Sequence, residues 1–125
     1  MNTTIAVDFD GTCVEHNYPK ISKDVPDAER VIKGLVESGF KIILNTMRSG
    51  KELYEAVNWF ANKDIPLYGI NENPTQKEWT ISTKVLADIY IDDAALGCPL
   101  VFTERFNKTI GYVDWLEVEK KFFKY

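Results

Sequence analysis

Short apolar runs that end in polar or acidic residues recur along the chain. Ile5-Ala6-Val7 leads into Asp8, Phe9 and Asp10 and then Gly11. A brief run of this kind reads as a central parallel strand over residues 5–10, with glycine permitting a tight exit. Cys13 to Lys23 has mixed polarity, contains Pro19 and keeps no period, so it reads as a loop over the first acids. A helix is expected from Asp24, with Pro26 and Asp27 in its early turn, an apolar face of Val31, Ile32, Leu35 and Val36, and a stop at Gly39. Phe40–Leu44 is the second strand, ending at Asn45-Thr46. Ser49 with Glu52 resembles a capping box. The helix it opens carries Leu53, Val57 and Phe60 on one face, with Ala56 and Ala61 adjoining and Trp59 off the stripe, under a loop. Pro66 breaks that pattern. Leu67–Ile70 reads as a short third strand, 71–74 as a turn, and 75–83 as polar chain anchored by Trp79. Leu86–Asp93 is the fourth strand and Cys98–Phe102 a fifth, shorter one. Tyr112–Phe123 reads as a helix with Val113, Leu116, Lys120 and Phe123 on the face that covers the sheet.

Strands alternating with helices predict an α/β fold: a three-layer sandwich around a mostly parallel, Rossmann-like sheet. The 125 residues suffice for one domain, 1–125, and the 45% hydrophobic content is ordinary for a globular chain. With a net charge of -4 and no basic block, broad nucleic-acid binding is not indicated, which leaves phosphorylated nucleotides and nucleic-acid ends as candidates. Cys13 and Cys98 lack metal-ligand spacing and read as reduced thiols. With His16 the one histidine, a zinc site would need carboxylates as well. Asp8 and Asp10 interrupt any leader-like run, and no stretch approaches the length of a membrane helix, so a soluble cytoplasmic protein is expected. No repeat or low-complexity linker is present.

The chemistry gathers at the strand ends. In a strand, Asp8 and Asp10 face one way and Phe9 the other. Two carboxylates at one tip repel unless something positive lies between them, and a hard divalent cation with oxygen ligands answers that need. The plainer alternative is one acid capping a helix and the other exposed at a turn. Ligands of open α/β sheets bind beyond the carboxyl ends of the strands. There the first strand brings Asp8 and Asp10, the second Thr46, the fourth Asp92 and Asp93, and the preceding loop Lys84. Acids for Mg²⁺, with a hydroxyl and an ammonium for phosphoryl oxygens, suit phosphoryl transfer.

These residues resemble the motifs of the haloacid dehalogenase superfamily of phosphatases: Asp8-Phe9-Asp10-Gly11-Thr12 the first, Thr46 the second, Lys84 the third and Asp92-Asp93 the fourth. The resemblance covers about residues 4–102 and is nearest to the small, capless phosphatase-like proteins of bacteria and phages. It implies that Asp8 attacks phosphorus to form an aspartyl-phosphate, and that Asp10 protonates the leaving oxygen and then activates water. It also implies Mg²⁺ held by the side chains of Asp8 and Asp92, the backbone carbonyl of Asp10, and Asp93 directly or through water. Thr46 would donate to a phosphoryl oxygen, and Lys84 would steady Asp8 and the phosphoryl group. Lys77 and Lys63 compete for the lysine role, though Lys63 is expected to face solvent. Arg48 reads as a substrate contact or an ordinary surface arginine, Asn45 as a phosphate-orienting or a backbone-capping residue, and His16 as a surface histidine in the first place, with a substrate contact as the alternative. The spacing between motifs leaves no room for a separate cap domain, so the site should be open unless a homodimer partner or the 13–23 loop covers it. The substrate is a phosphorylated compound of unidentified class. Three other readings stand beside the phosphatase: a non-catalytic binding or assembly protein on the same scaffold, a phosphotransferase, and a phosphoacceptor signalling domain.

Overall fold

The structure, a computed structural model, describes residues 3–123. In chain order its elements are β1 (Thr4–Val7), α1 (Ala28–Glu37), β2 (Lys41–Leu44), α2 (Gly50–Asn62), β3 (Gly69–Ile70), β4 (Ile89–Ile91), β5 (Leu100–Arg105), β6 (Lys108–Val113) and α3 (Trp115–Phe122), with a single 3-10 turn at Gln76–Glu78. Four strands form one sheet in the order β3-β2-β1-β4, every pairing parallel. Parallel neighbours need crossover connections, and α1 and α2 supply two of them. With α3 they flank the sheet in a three-layer, Rossmann-like α/β sandwich. All four residues of β1 are buried, as the apolar run requires of a strand covered on both faces. Phe9 is fully buried and packs on Trp59 and Phe60.

The sheet register sets up the site. Val7 pairs with Leu44 on one side and Ile91 on the other. The residues that follow, Asp8, Asn45 and Asp92, therefore emerge at one level. The backbone continues that alignment for one more step, with the Asp8 N–H donating to the Ile91 carbonyl at 2.9 Å and the Asn45 N–H to the Val7 carbonyl at 2.9 Å.

Several elements differ from the sequence reading. The first strand stops at Val7 rather than residue 10, because the Phe9 carbonyl turns to accept the N–H groups of Thr12, Cys13 and Val14. α1 starts at Ala28, not Asp24, because residues 24 and 25 are held by other partners: Asp24 bridges back to Val14 and Val25 donates to the Cys13 carbonyl. Its expected face holds, with Val31, Ile32 and Leu35 buried. Ser49 is the N-cap of α2 but its side chain makes no capping bond, and the core face of that helix is Ala56, Trp59 and Phe60. The 98–102 strand lengthens to Arg105 and leaves the parallel sheet to form an antiparallel hairpin with β6. β6 takes the start of the segment read as a helix. That helix begins at Trp115, where the Asp114 carboxylate accepts the Glu117 N–H. Its buried face is Trp115 and Val118, while Leu116 and Lys120 are exposed. Trp79, expected as an anchor, is also exposed. The segment is instead tied by the buried Gln76, whose side-chain carbonyl accepts the Leu86 N–H and whose amide donates to the carbonyls of Ser82 and Lys84.

Candidate metal and phosphoryl site

Asp8, Asp92 and Asp93 each offer an oxygen within 4.8 Å of the others. Two strand ends supply them: Asp8 follows β1, and the Asp92-Asp93 pair follows β4. The Thr12 hydroxyl joins the two ends. It donates to Asp8 Oδ2 at 3.0 Å and accepts the Asp93 N–H at 3.3 Å. Burial, reinforced by the charges of Asp92 and Asp93, pushes the Asp8 carboxyl up to about 8, against the pull of the Thr12 hydrogen bond. Among the described residues no lysine or arginine pairs with any of the three. A compact, all-carboxylate oxygen set without a lysine or arginine partner fits a hard divalent cation.

Gly11 makes the close approach to this cluster feasible. It has φ +86°, and a Cβ there would lie 2.2 Å from His16 Nε2 and 2.4 Å from Asp93 Oδ2. His16 Nε2 lies 2.7 Å from Asp93 Oδ2, so the histidine contacts the acid cluster rather than lying on bare surface, while half of its side chain stays open to solvent. Cys13 is buried behind Asp8 with its thiol on the Asp8 carbonyl, and burial holds that thiol well above the ordinary range. Both cysteines are free.

The Asp10 side chain is not in the cluster. The strand ends at Val7, before Asp10, which frees Asp10 from the alternation, and its carboxylate meets Arg48 in a two-pronged pair, Nε to Oδ2 and Nη2 to Oδ1, both at 2.8 Å. Arg48 is buried, which removes one of its two readings, that of an ordinary surface arginine. Thr46 stands at the β2 end, its N–H on the Asn71 side chain and its hydroxyl accepting the Arg48 N–H. Asn45 continues the β2 backbone pairing. Lys84 is exposed in the loop before β4, and no ion pair brings it to Asp8; Lys77 is likewise exposed. Lys63 does not face solvent as expected, because it pairs with Asp24 at 3.1 Å and lies over the Trp59 ring. Sequence reasoning missed the bridging hydroxyl of Thr12 and the Arg48–Asp10 pair. A signal for the second existed: an arginine four residues past the end of β2, where the neighbouring tip carries an acid in need of a partner.

No family model matches this chain, and no curated protein does. It is similar to a solved structure described as the conserved protein coded by locus from Bacteroides thetaiotaomicron. The two share 33% sequence identity over 98% of this chain and 90% of the other, with a TM-score of 0.80. An acid cluster placed after β1 and β4 of a small α/β domain is consistent with a haloacid dehalogenase-like fold. No helix among the described residues is long and apolar enough to cross a membrane.

Proposed function

The chain belongs to the same family as that conserved Bacteroides thetaiotaomicron protein, and from its own site we propose that it is a Mg²⁺-dependent phosphomonoester hydrolase. In this reading it is a single capless domain of haloacid dehalogenase type that works in the cytoplasm through an aspartyl-phosphate. The observation that carries the proposal is the meeting of Asp8, Asp92 and Asp93 within 4.8 Å at the carboxyl ends of adjacent parallel strands. Those side chains, with the Asp10 backbone carbonyl, would hold the cation. When bound, Mg²⁺ supplies positive charge against the phosphoryl oxygens.

The protein's own groups divide the work. An Asp8 oxygen forms a bond to phosphorus as the bond from phosphorus to the leaving oxygen breaks, and Asp10 gives that oxygen its proton. Asp10 then takes a proton from water, whose oxygen attacks phosphorus and releases Asp8 with inorganic phosphate. Arg48 occupies one lone pair on each Asp10 oxygen, which leaves another on each for the proton. Thr46 donates to the phosphoryl group. Lys84, exposed on the loop before β4, steadies the phosphoryl group and Asp8 once substrate is present. With no cap, substrates from nucleotides and sugar phosphates to nucleic-acid ends can approach.

The exposure of Lys84 favours one other reading, a non-catalytic binding protein on the same scaffold. A screen of phosphomonoesters with and without Mg²⁺ separates the two. Hydrolysis that appears with Mg²⁺ and vanishes on chelation supports the enzyme. Full activity after verified metal removal, or no turnover of any member by folded protein with Mg²⁺ present, contradicts it.

A further inference from the structure

Arg48 has five N–H groups, and the structure gives acceptors for all of them. Nε and Nη2 hold the two oxygens of Asp10. Nη2 also donates to the Lys20 carbonyl at 3.2 Å, and Nη1 donates to the carbonyls of Pro19 at 3.0 Å and Glu52 at 3.4 Å. The guanidinium lies over two rings, 5.1 Å from the centroid of Phe9 and 5.2 Å from that of Tyr18. Only 1% of its side chain is exposed. A guanidinium so committed cannot grip a phosphoryl group without abandoning a buried partner. Apart from the Glu52 carbonyl of the adjoining α2, its contacts join two distant parts of the chain: the acid after β1, and the 18–20 stretch of the following loop.

We propose that Arg48 is a positioning residue that fixes the Asp10 carboxylate and fastens the Tyr18–Lys20 segment to it, so that acid and covering loop are held as one unit. The role of Asp10 in this statement rests on the phosphatase reading. The planar fork of arginine suits the task, since one flat group satisfies a carboxylate on one edge and backbone carbonyls on the others. Lysine, with three donors on one nitrogen, cannot reproduce that arrangement.

The tether has a readout that needs no activity. Trypsin cleaves after lysine, and the Lys20 carbonyl is one that Arg48 holds. The Lys23 carbonyl is held by the Glu15 N–H instead, at 2.8 Å, and serves as an internal control. Asp10→Asn weakens the pair without altering the loop. It should speed nicking at Lys20–Ile21 by about tenfold, the scale of one charge-assisted hydrogen bond, with Lys23–Asp24 unchanged. Asp8→Asn, which leaves every Arg48 contact in place, should not. Equal nicking at Lys20 in Asp10→Asn and wild type overturns the tether.

Kinetics test the positioning. Arg48→Lys should lower kcat for an alkyl phosphate by about 10–100-fold with KM little changed, as misplacement of a working group does. The loss should shrink for an activated aryl phosphate and disappear when Asp10 is already Asn. A raised KM at constant kcat would make Arg48 a substrate-binding group and overturn the positioning role. Should Arg48→Lys fail to fold, the Asp10→Asn nicking result decides. Should wild type hydrolyse no phosphomonoester, the phosphatase reading falls by itself and the nicking result still decides the tether.

Discussion

Trp115 Nε1 donates to the Thr12 carbonyl over 2.7 Å, joining residues 103 positions apart. Both are fully buried. One step earlier, the Val113 N–H donates to the Gly11 carbonyl at 3.0 Å. The junction between β6 and α3 therefore seats the turn that carries the acid cluster. This gives the hairpin and last helix a part in the site although neither brings a residue to it. Trp115→Phe keeps most of the ring and removes the donor, leaving a buried carbonyl unsatisfied. It should cost about 1–3 kcal/mol in denaturant unfolding, together with weaker Mg²⁺ binding by calorimetry.

Thr12 is the bridge that this seat holds. Thr12→Val preserves shape, but takes the donor from Asp8 and the acceptor from the Asp93 N–H. Cation affinity should fall by about 10–100-fold, the usual effect of losing a group that orients metal ligands. Isothermal titration of Mg²⁺ into both proteins measures it, and equal affinities would show that the bridge is incidental.

The acid cluster predicts a definite dependence on pH. In the cation-free protein Asp8 is pushed up to about 8 from an ordinary value of 3.8, chiefly by burial. A folded-state value above the unfolded one means that this group's stabilising contribution is complete at low pH and is lost as pH rises towards 8. Mg²⁺ replaces the proton, so its stabilisation should be larger at pH 8 than at pH 5, with proton release on binding. Thermal unfolding with and without Mg²⁺ across this range checks the sign. A Mg²⁺ effect that does not grow with pH would contradict it.

Gly11→Ala tests the close approach directly. Its positive φ and the contacts of 2.2 and 2.4 Å a Cβ would make require His16 and Asp93 to move. Loss of Mg²⁺ binding with the core fold retained, followed by titration and circular dichroism, is the expected result. A variant that binds as wild type would show that the cluster tolerates displacement.

The features legible in the sequence are those that depend on short-range pattern. Ile5-Ala6-Val7 announces a buried strand, and Val31, Ile32 and Leu35 announce one face of α1. The acids at 8, 92 and 93 follow apolar runs whose register brings their ends level. Pattern fails where a distant partner decides. Asp24 reads as a helix start, yet its carboxylate accepts the Trp59 indole N–H at 2.8 Å and lies outside the helix. Lys108–Val113 pairs with β5, and the turn between them takes positive φ at Phe106 and Asn107, which no glycine signals. Arg48 looks like any arginine after a strand until Asp10 and three backbone carbonyls from two other segments close around it.

In the proposed reaction Asp8 carries the phosphoryl group. The most direct measurement is rapid quench of protein mixed with Mg²⁺ and an activated aryl phosphate, followed by mass analysis of its peptides. Wild type should carry a phosphoryl group on Asp8, Asp10→Asn should accumulate it because water has lost its base, and Asp8→Asn should carry none. Label on Asp10, or full steady-state turnover by Asp8→Asn, would contradict it.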